Sequence, residues 1–156
     1  MLGAFDINYS TWEPAIRMLV AVACAAVVGW DREAQGREAG LRTHIMVALG
    51  AAGFTIIALD LFEQSASAGS GSPGEAYRII AAVVGGVGFL GAGAIIQSAG
   101  KVRGLTTAAG IWVIAAVGIA AGAGYYLNAV IITALALVTL VVLRRIERAL
   151  PHSDKK

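Results

Sequence analysis

The stretch LTTAAGIWVIAAVGIAAGAGYYLNAVIITALALVTLVVL, Leu105 to Leu143, runs for 39 residues without an Asp, Glu, Lys or Arg. A helix needs about 20 residues to cross the hydrocarbon core of a bilayer, so this length is two crossings. The fold-back falls at Gly122-Ala123-Gly124-Tyr125-Tyr126, where helix-breaking glycines meet tyrosines of the kind enriched at the membrane surface. Working outward, Ile79 to Ala99 carries no charge between Arg78 and Lys101. His44 to Leu59 carries none between Arg42 and Asp60, and Ala15 to Val28 is interrupted only by Arg17. Five spans follow, at about 12–30, 43–60, 78–98, 105–123 and 126–144, in a single transmembrane domain over 1–148 with a short basic tail at 149–156. Composition agrees: 14% of residues are charged against about a quarter in a soluble domain, and the mean hydropathy is +0.75. A soluble chain this short has much surface to solvate and would need that charge. Helices are the open-ended structure that closes its own backbone hydrogen bonds in lipid. The expected fold is therefore an all-α integral membrane protein, a bundle of about five transmembrane helices.

Orientation is read from the basic residues. Arg32, Arg37 and Arg42 lie in the 31–42 loop, Lys101 and Arg103 in the 99–104 loop, and Arg144, Arg145, Arg148, Lys155 and Lys156 in the tail. In a five-span reading all ten fall on one side. The other side has Arg17 and Arg78 near span ends, with Asp6, Glu13, Asp60, Glu63 and Glu75. The positive-inside rule then places the N-terminus outside and the C-terminus in the cytoplasm. A four- or six-span reading would put basic loops on both sides. Asp6 and Glu13 stand where a cleavable signal has basic residues, so the first span is expected to stay. The basic residues flank the membrane and give no reason to expect nucleic acid. Cys24 reads as a small packed residue of the first span, and 61–77, with SASAGSGSPG at its centre, as a flexible external connection.

Two polar punctuations carry more than loop chemistry. The first is DREAQGREAGLRTH, Asp31 to His44. As a helix it would pair Glu33 with Arg37 and Glu38 with Arg42 at four-residue spacing, but Gly36 and Gly40 oppose one uninterrupted helix and permit a folded loop that packs close. Thr43 and His44 then enter the second span, where polar groups need partners. The second is GGVGFLGAGAIIQSAGKVRGLTTAAG, Gly85 to Gly110. Gly86 to Gly91 matches the dinucleotide pattern GxGxxG, yet it lies inside an apolar span and lacks the strand that fingerprint requires. Glycines here, including Gly88, Gly91 and Gly93, either allow another helix to approach closely or mark an unwound segment. Gly118 and Gly122 form a further GxxxG pair. After Gly104-Leu105, the hydroxyls of Thr106 and Thr107 are placed to cap the fourth span. The same helix end would offer free amides to an acidic group such as Glu33 or Glu38. Arg17 is the one charge well inside an apolar run. It either snorkels with Glu13, one turn away, or faces another span or subunit.

Along GWDREAQGREAGLRTHIMVALGAA, GGVGFLGAGAIIQSAGKVRGLTTAAGIWVIAAVGIAAG and the Arg17-bearing first span, the chain resembles the MgtC/SapB family. The likeness covers most of 15–124, and Asp31-Arg32-Glu33 keeps the family's acidic-Arg-Glu pattern after the first span. The resemblance implies a five-span bacterial inner-membrane protein associated with growth at low magnesium and with virulence, through survival inside macrophages. In some members it implies inhibition of the proton-translocating ATP synthase. The chain resembles the short, membrane-only form without the soluble C-terminal domain.

Three functions compete: a regulator that binds a membrane partner, a transporter or channel for magnesium or another ion, and a membrane enzyme. Magnesium prefers carboxylate oxygens in octahedral geometry, and ion pathways carry ionisable residues inside their spans. Spans two to five have no Asp or Glu in their apolar runs, and Asp31, Glu33 and Glu38 sit beside three arginines. Magnesium thus has no ligand cluster, and no cofactor is expected. An enzyme would need a nucleophile and base, and His44 is the one histidine near a span, so no catalytic residue is assigned. The expected function is regulatory and magnesium-linked, in a homo-oligomer such as a dimer within the lipid bilayer. Its expected cytoplasmic surface comprises Asp31, Arg32, Glu33, Gly40, Leu41, Arg42, Thr43, His44, Gly104, Thr106 and Thr107, with Arg17, Gly88, Gly91 and Gly93 inside the membrane.

Overall fold

The computed structural model describes residues 12–67, 69, 73–98 and 101–149. It contains five helices, α1 (Glu13–Ala34), α2 (Leu41–Ser67), α3 (Pro73–Gly93), α4 (Leu105–Gly122) and α5 (Tyr126–Ala149), and a small antiparallel hairpin of β1 (Ile96–Ser98) and β2 (Lys101–Arg103). Four helices, α1, α2, α4 and α5, are long and apolar enough to cross a membrane; the apolar part of α3, Tyr77–Gly93, is shorter. The all-helical membrane bundle read from the sequence is the fold. Asp6, residues 70–72 of the external connection and the tail from 150 onward lie outside the described residues.

Central to the bundle is α4, which meets α1, α2, α3 and α5. The interior is built from small side chains: Ala21, Ala25, Ala48, Ala52 and Ala121 are buried together with Val28, Ile114 and Val117. In lipid no hydrophobic gain drives helices together, so contact between close backbones has to do so. The α2–α4 seam shows how. A Cβ on Gly118 would stand 2.4 Å from the Ala48 carbonyl oxygen, and one on Gly122 would stand 2.6 Å from that of Ala52. The GxxxG pair is therefore spent inside the bundle rather than on a second molecule. Cys24 is a free, buried core residue.

Several helix boundaries differ from the sequence reading, among them the C-terminal ends of α2 and α3. The second helix continues to Ser67, past the expected end at 60, and in its last turns the Ser65 and Ser67 hydroxyls donate to the Leu61 and Glu63 carbonyls at 2.9 and 2.8 Å. The connection between α2 and α3 is correspondingly shorter than expected. The third helix stops at Gly93 instead of 98, and β-branched Ile96 pairs with Arg103 in the hairpin. Gly104 joins that hairpin to α4 with φ +87, and a Cβ there would lie 1.9 Å from the Ala94 carbonyl oxygen. No other residue fits. The expected turn after the fourth span is present: the Tyr125 N–H bonds the Ala120 carbonyl at 2.8 Å, closed by Gly124 at φ +81.

Gly118→Val is expected to destabilise the bundle by about 1–3 kcal/mol through overpacking, whereas Gly88→Ala, whose Cβ would meet nothing within 4 Å, should leave the thermal midpoint in detergent unchanged. Circular dichroism melts of the two variants check this.

Candidate functional site

The polar residues gather at two opposite ends of the bundle. At the first, α1 ends in a reversed turn in which the Arg37 N–H reaches the Arg32 carbonyl at 3.1 Å and Gly36 takes φ 64. The loop is folded rather than helical, so the four-residue pairs of Glu33 with Arg37 and Glu38 with Arg42 do not form. Glu33 instead accepts the N–H of Leu41, the first residue of α2, at 2.7 Å. Gly40 leaves room for that contact, since a Cβ there would lie 2.7 Å from Glu33 Oε2. The second helix is thus capped by a carboxylate borrowed from the first, which also suits the positive end of its dipole.

One turn into α2, His44 is completely buried, and its Nδ1 lies 2.8 Å from the Gly40 carbonyl oxygen. A carbonyl only accepts, so Nδ1 carries the proton, and the buried Nε2 has no partner among the described residues. Beside it Arg32, 4% exposed, donates from Nη2 to Thr107 Oγ1 at 3.1 Å. The Arg32 Nε is also buried without a described partner. Asp31 is engaged elsewhere: it accepts from the Gln35 amide and stands 3.5 Å from Arg144 Nη2 on α5.

The two polar motifs therefore do dock, but through different groups from those expected. Glu33 serves α2, not the start of α4, and Thr107 receives an arginine instead of capping its own helix. The N-cap of α4 is Gly104, with no side-chain cap. Asp31, Arg32, Glu33, Gly40, Leu41, His44, Thr106 and Thr107 come together at this end, with Gly104 holding the start of α4. Arg42 is exposed and Thr43 half-buried. Sequence reasoning missed Gln35 and Arg37 as site residues, along with Thr139 and Arg144 on α5. These four line a 220 Å³ hollow with Arg32 and Thr106. The four-residue interval from Asp31 to Gln35 was a usable signal; Arg144 was hidden among basic residues read only for topology.

At the opposite end, Arg17 Nε donates to Glu13 Oε1 at 3.0 Å, and Nη1 donates to the Gly122 carbonyl at 3.1 Å. The Tyr126 hydroxyl donates to the same Glu13 oxygen at 2.8 Å. Arg17 combines both readings: it pairs with Glu13, and it also reaches a second span, where its charge meets the negative end of the α4 dipole. On α3, a Cβ on Gly91 would lie 3.5 Å from the Ala108 carbonyl oxygen, in ordinary contact, while one on Gly88 or Gly93 would meet nothing within 4 Å. Among the described residues, no three His, Cys, Asp or Glu side chains form a group able to hold a metal.

The sequence model of the MgtC family matches residues 18–149. The chain belongs to the MgtC family. It is 40% identical over 129 residues to a Salmonella typhimurium protein named "Protein MgtC", covering 83% of this chain and 52% of the relative. It is 41% identical over 116 residues to "Putative magnesium transporter YhiD" of Escherichia coli K12, covering 74% of this chain and 54% of the relative. An uncharacterized protein of Haemophilus influenzae is 38% identical over 125 residues, covering 80% and 52%. The chain spans about half the length of the curated relatives it matches. No solved structure matches it. The match takes in both polar motifs and the whole of α2 to α5, so this is a multi-pass membrane protein of that family.

Thr107→Val keeps the shape of the side chain and strips Arg32 of its described side-chain partner. It should cost about 1–3 kcal/mol, the penalty for leaving a buried donor unmet. Thr106→Val, at an exposed neighbour on the same turn, should cost much less. Unfolding in mixed micelles at rising SDS distinguishes them.

Proposed function

We propose that this MgtC-family protein is a regulator of magnesium adaptation in the bacterial inner membrane, acting by helix-to-helix docking with a membrane partner rather than by moving ions itself. The observation that carries the reading is the outward face of α3. Ala81, Ala82, Gly85, Gly86, Gly88, Ala92 and Gly93 are all exposed, and Phe89, 80% exposed, stands among them. A Cβ on Gly85, Gly86, Gly88 or Gly93 would meet nothing within 4 Å. In lipid, a smooth small-residue surface is what lets a second helix come into backbone contact. The glycines of α4 already serve that purpose internally, so the α3 set is the one left for an outside helix. A second copy of the chain is the first candidate, and a larger membrane complex such as the proton-translocating ATP synthase the next.

The buried charge at the polar end is a guanidinium, which repels a divalent cation on any path past Thr107. The basic loops gathered at that end support a cytoplasmic placement for it, with the N-terminus outside. The reading assigns no catalytic role to any residue.

The transporter reading has the printed name of the Escherichia coli relative in its favour, and flux separates the two. Protein sealed in liposomes with an entrapped magnesium dye and an imposed potential should take up no magnesium above the leak of empty vesicles. Gly88→Leu with Gly93→Leu should abolish cross-linking to the partner and growth at low magnesium while leaving the protein folded. Saturable uptake by the wild type would establish transport instead.

A further inference from the structure

The end of the bundle where α1, α4 and α5 meet has more positive charge than its carboxylates match. Arg32, Arg37 and Arg144 all line the 220 Å³ hollow there. Asp31 is the carboxylate beside them; it is shared between Gln35 and Arg144, the latter at a long 3.5 Å. Glu33 is exposed and committed to the N–H of Leu41. Arg32 is the telling member. It is 4% exposed, it makes no ion pair among the described residues, and its Nε is buried with nothing to donate to. A guanidinium taken out of water is costly unless its donors are met by an anion. Thr106, on the same wall, belongs to the first turn of α4, where backbone N–H groups have no intrahelical acceptor and the helix dipole favours negative charge.

The hollow does not end at the charged groups. Thr106, Thr139 and Leu140 line it and also line a second cavity, an apolar groove of 340 Å³ between α4 and α5. That groove continues past Ala109, Val113, Ile132 and Ala136 toward the middle of the bundle. A free anion would use the arginines and have no use for the groove. A molecule with an anionic head and a hydrocarbon tail would use both.

The geometry points to a bound phospholipid, its phosphate held by Arg32, Arg37 and Arg144 and one acyl chain lying in the α4–α5 groove. Guanidinium forks match phosphate oxygens in pairs, and basic pockets between transmembrane helices at the cytoplasmic surface suit anionic headgroups. Three arginines against one carboxylate select a lipid with net negative charge, such as phosphatidylglycerol, over a zwitterionic one. This site is distinct from the α3 face and stands whether or not that face docks a partner.

The test uses the purified, delipidated protein in detergent, with native mass spectrometry and thermal melts against phosphatidylglycerol, phosphatidylcholine and inorganic phosphate. Phosphatidylglycerol should give a retained adduct and a raised midpoint, and phosphatidylcholine a weaker effect. Arg37→Gln with Arg144→Gln, which spares buried Arg32 and hence folding, should weaken phosphatidylglycerol binding about tenfold or more, as loss of charged hydrogen bonds does. Ala136→Phe, which fills the groove and leaves every arginine in place, should weaken the lipid as well. Equal retention of both lipids, or indifference to the arginine pair, would overturn the proposal. Stabilisation by inorganic phosphate with no effect of Ala136→Phe on phosphatidylglycerol would overturn the lipid and leave a free-phosphate site.

Discussion

Everything in this bundle depends on the line where α4 lays its backbone against α2. Gly118 and Gly122 meet carbonyl oxygens of Ala48 and Ala52 at distances that admit no side chain. Lipid supplies no apolar driving force between helices, so this close approach has to supply contact energy itself. Once α4 is fixed there, its two ends are fixed too. One presents Thr107 to Arg32, and the other presents the Gly122 carbonyl to Arg17. Two arginines of α1, separated by about 22 Å of helix at 1.5 Å per residue, thus grip the two ends of the same α4. The apolar seam sets the height of α4, and the arginines register it.

The two arginines are nevertheless in different situations. Arg17 is half-buried and has a carboxylate, a carbonyl and a tyrosine close by. Arg32 is buried with one hydroxyl. The same residue type acts as a finished tie at one end and an unfinished one at the other. That contrast, more than the number of basic residues, separates structure from candidate function here.

Much of the fold was legible because the physics of a bilayer is coarse. Uncharged length gave the helices, and Gly124 with its tyrosines gave the last turn. What failed to show was set by contacts across the chain. The end of α3 at Gly93 is decided by a hairpin whose pairing of Ile96 with Arg103 spans a turn, and by the fit of Gly104 against Ala94. A hydropathy count carries no trace of either. The candidate site was half legible. Arg32, His44 and Thr107 stood out as polar groups beside apolar runs. Arg144 did not, because its basic neighbours made it look like one more topology signal, and only the fold brings it to Asp31. Glu33 was noticed for the wrong reason: spacing along an imagined helix suggested Arg37, whereas the real turn hands its carboxylate to Leu41.

The borrowed cap on α2 has a bearing on how the protein is made. Because Glu33 closes the first turn of α2 from the end of α1, the first two helices contain both halves of that cap. The cap needs nothing from the later segments. Arg32, on the same turn of α1, has to wait until Thr107 has been synthesised, some 75 residues later. During that interval the two helices carry one guanidinium whose hydroxyl partner has not yet been made.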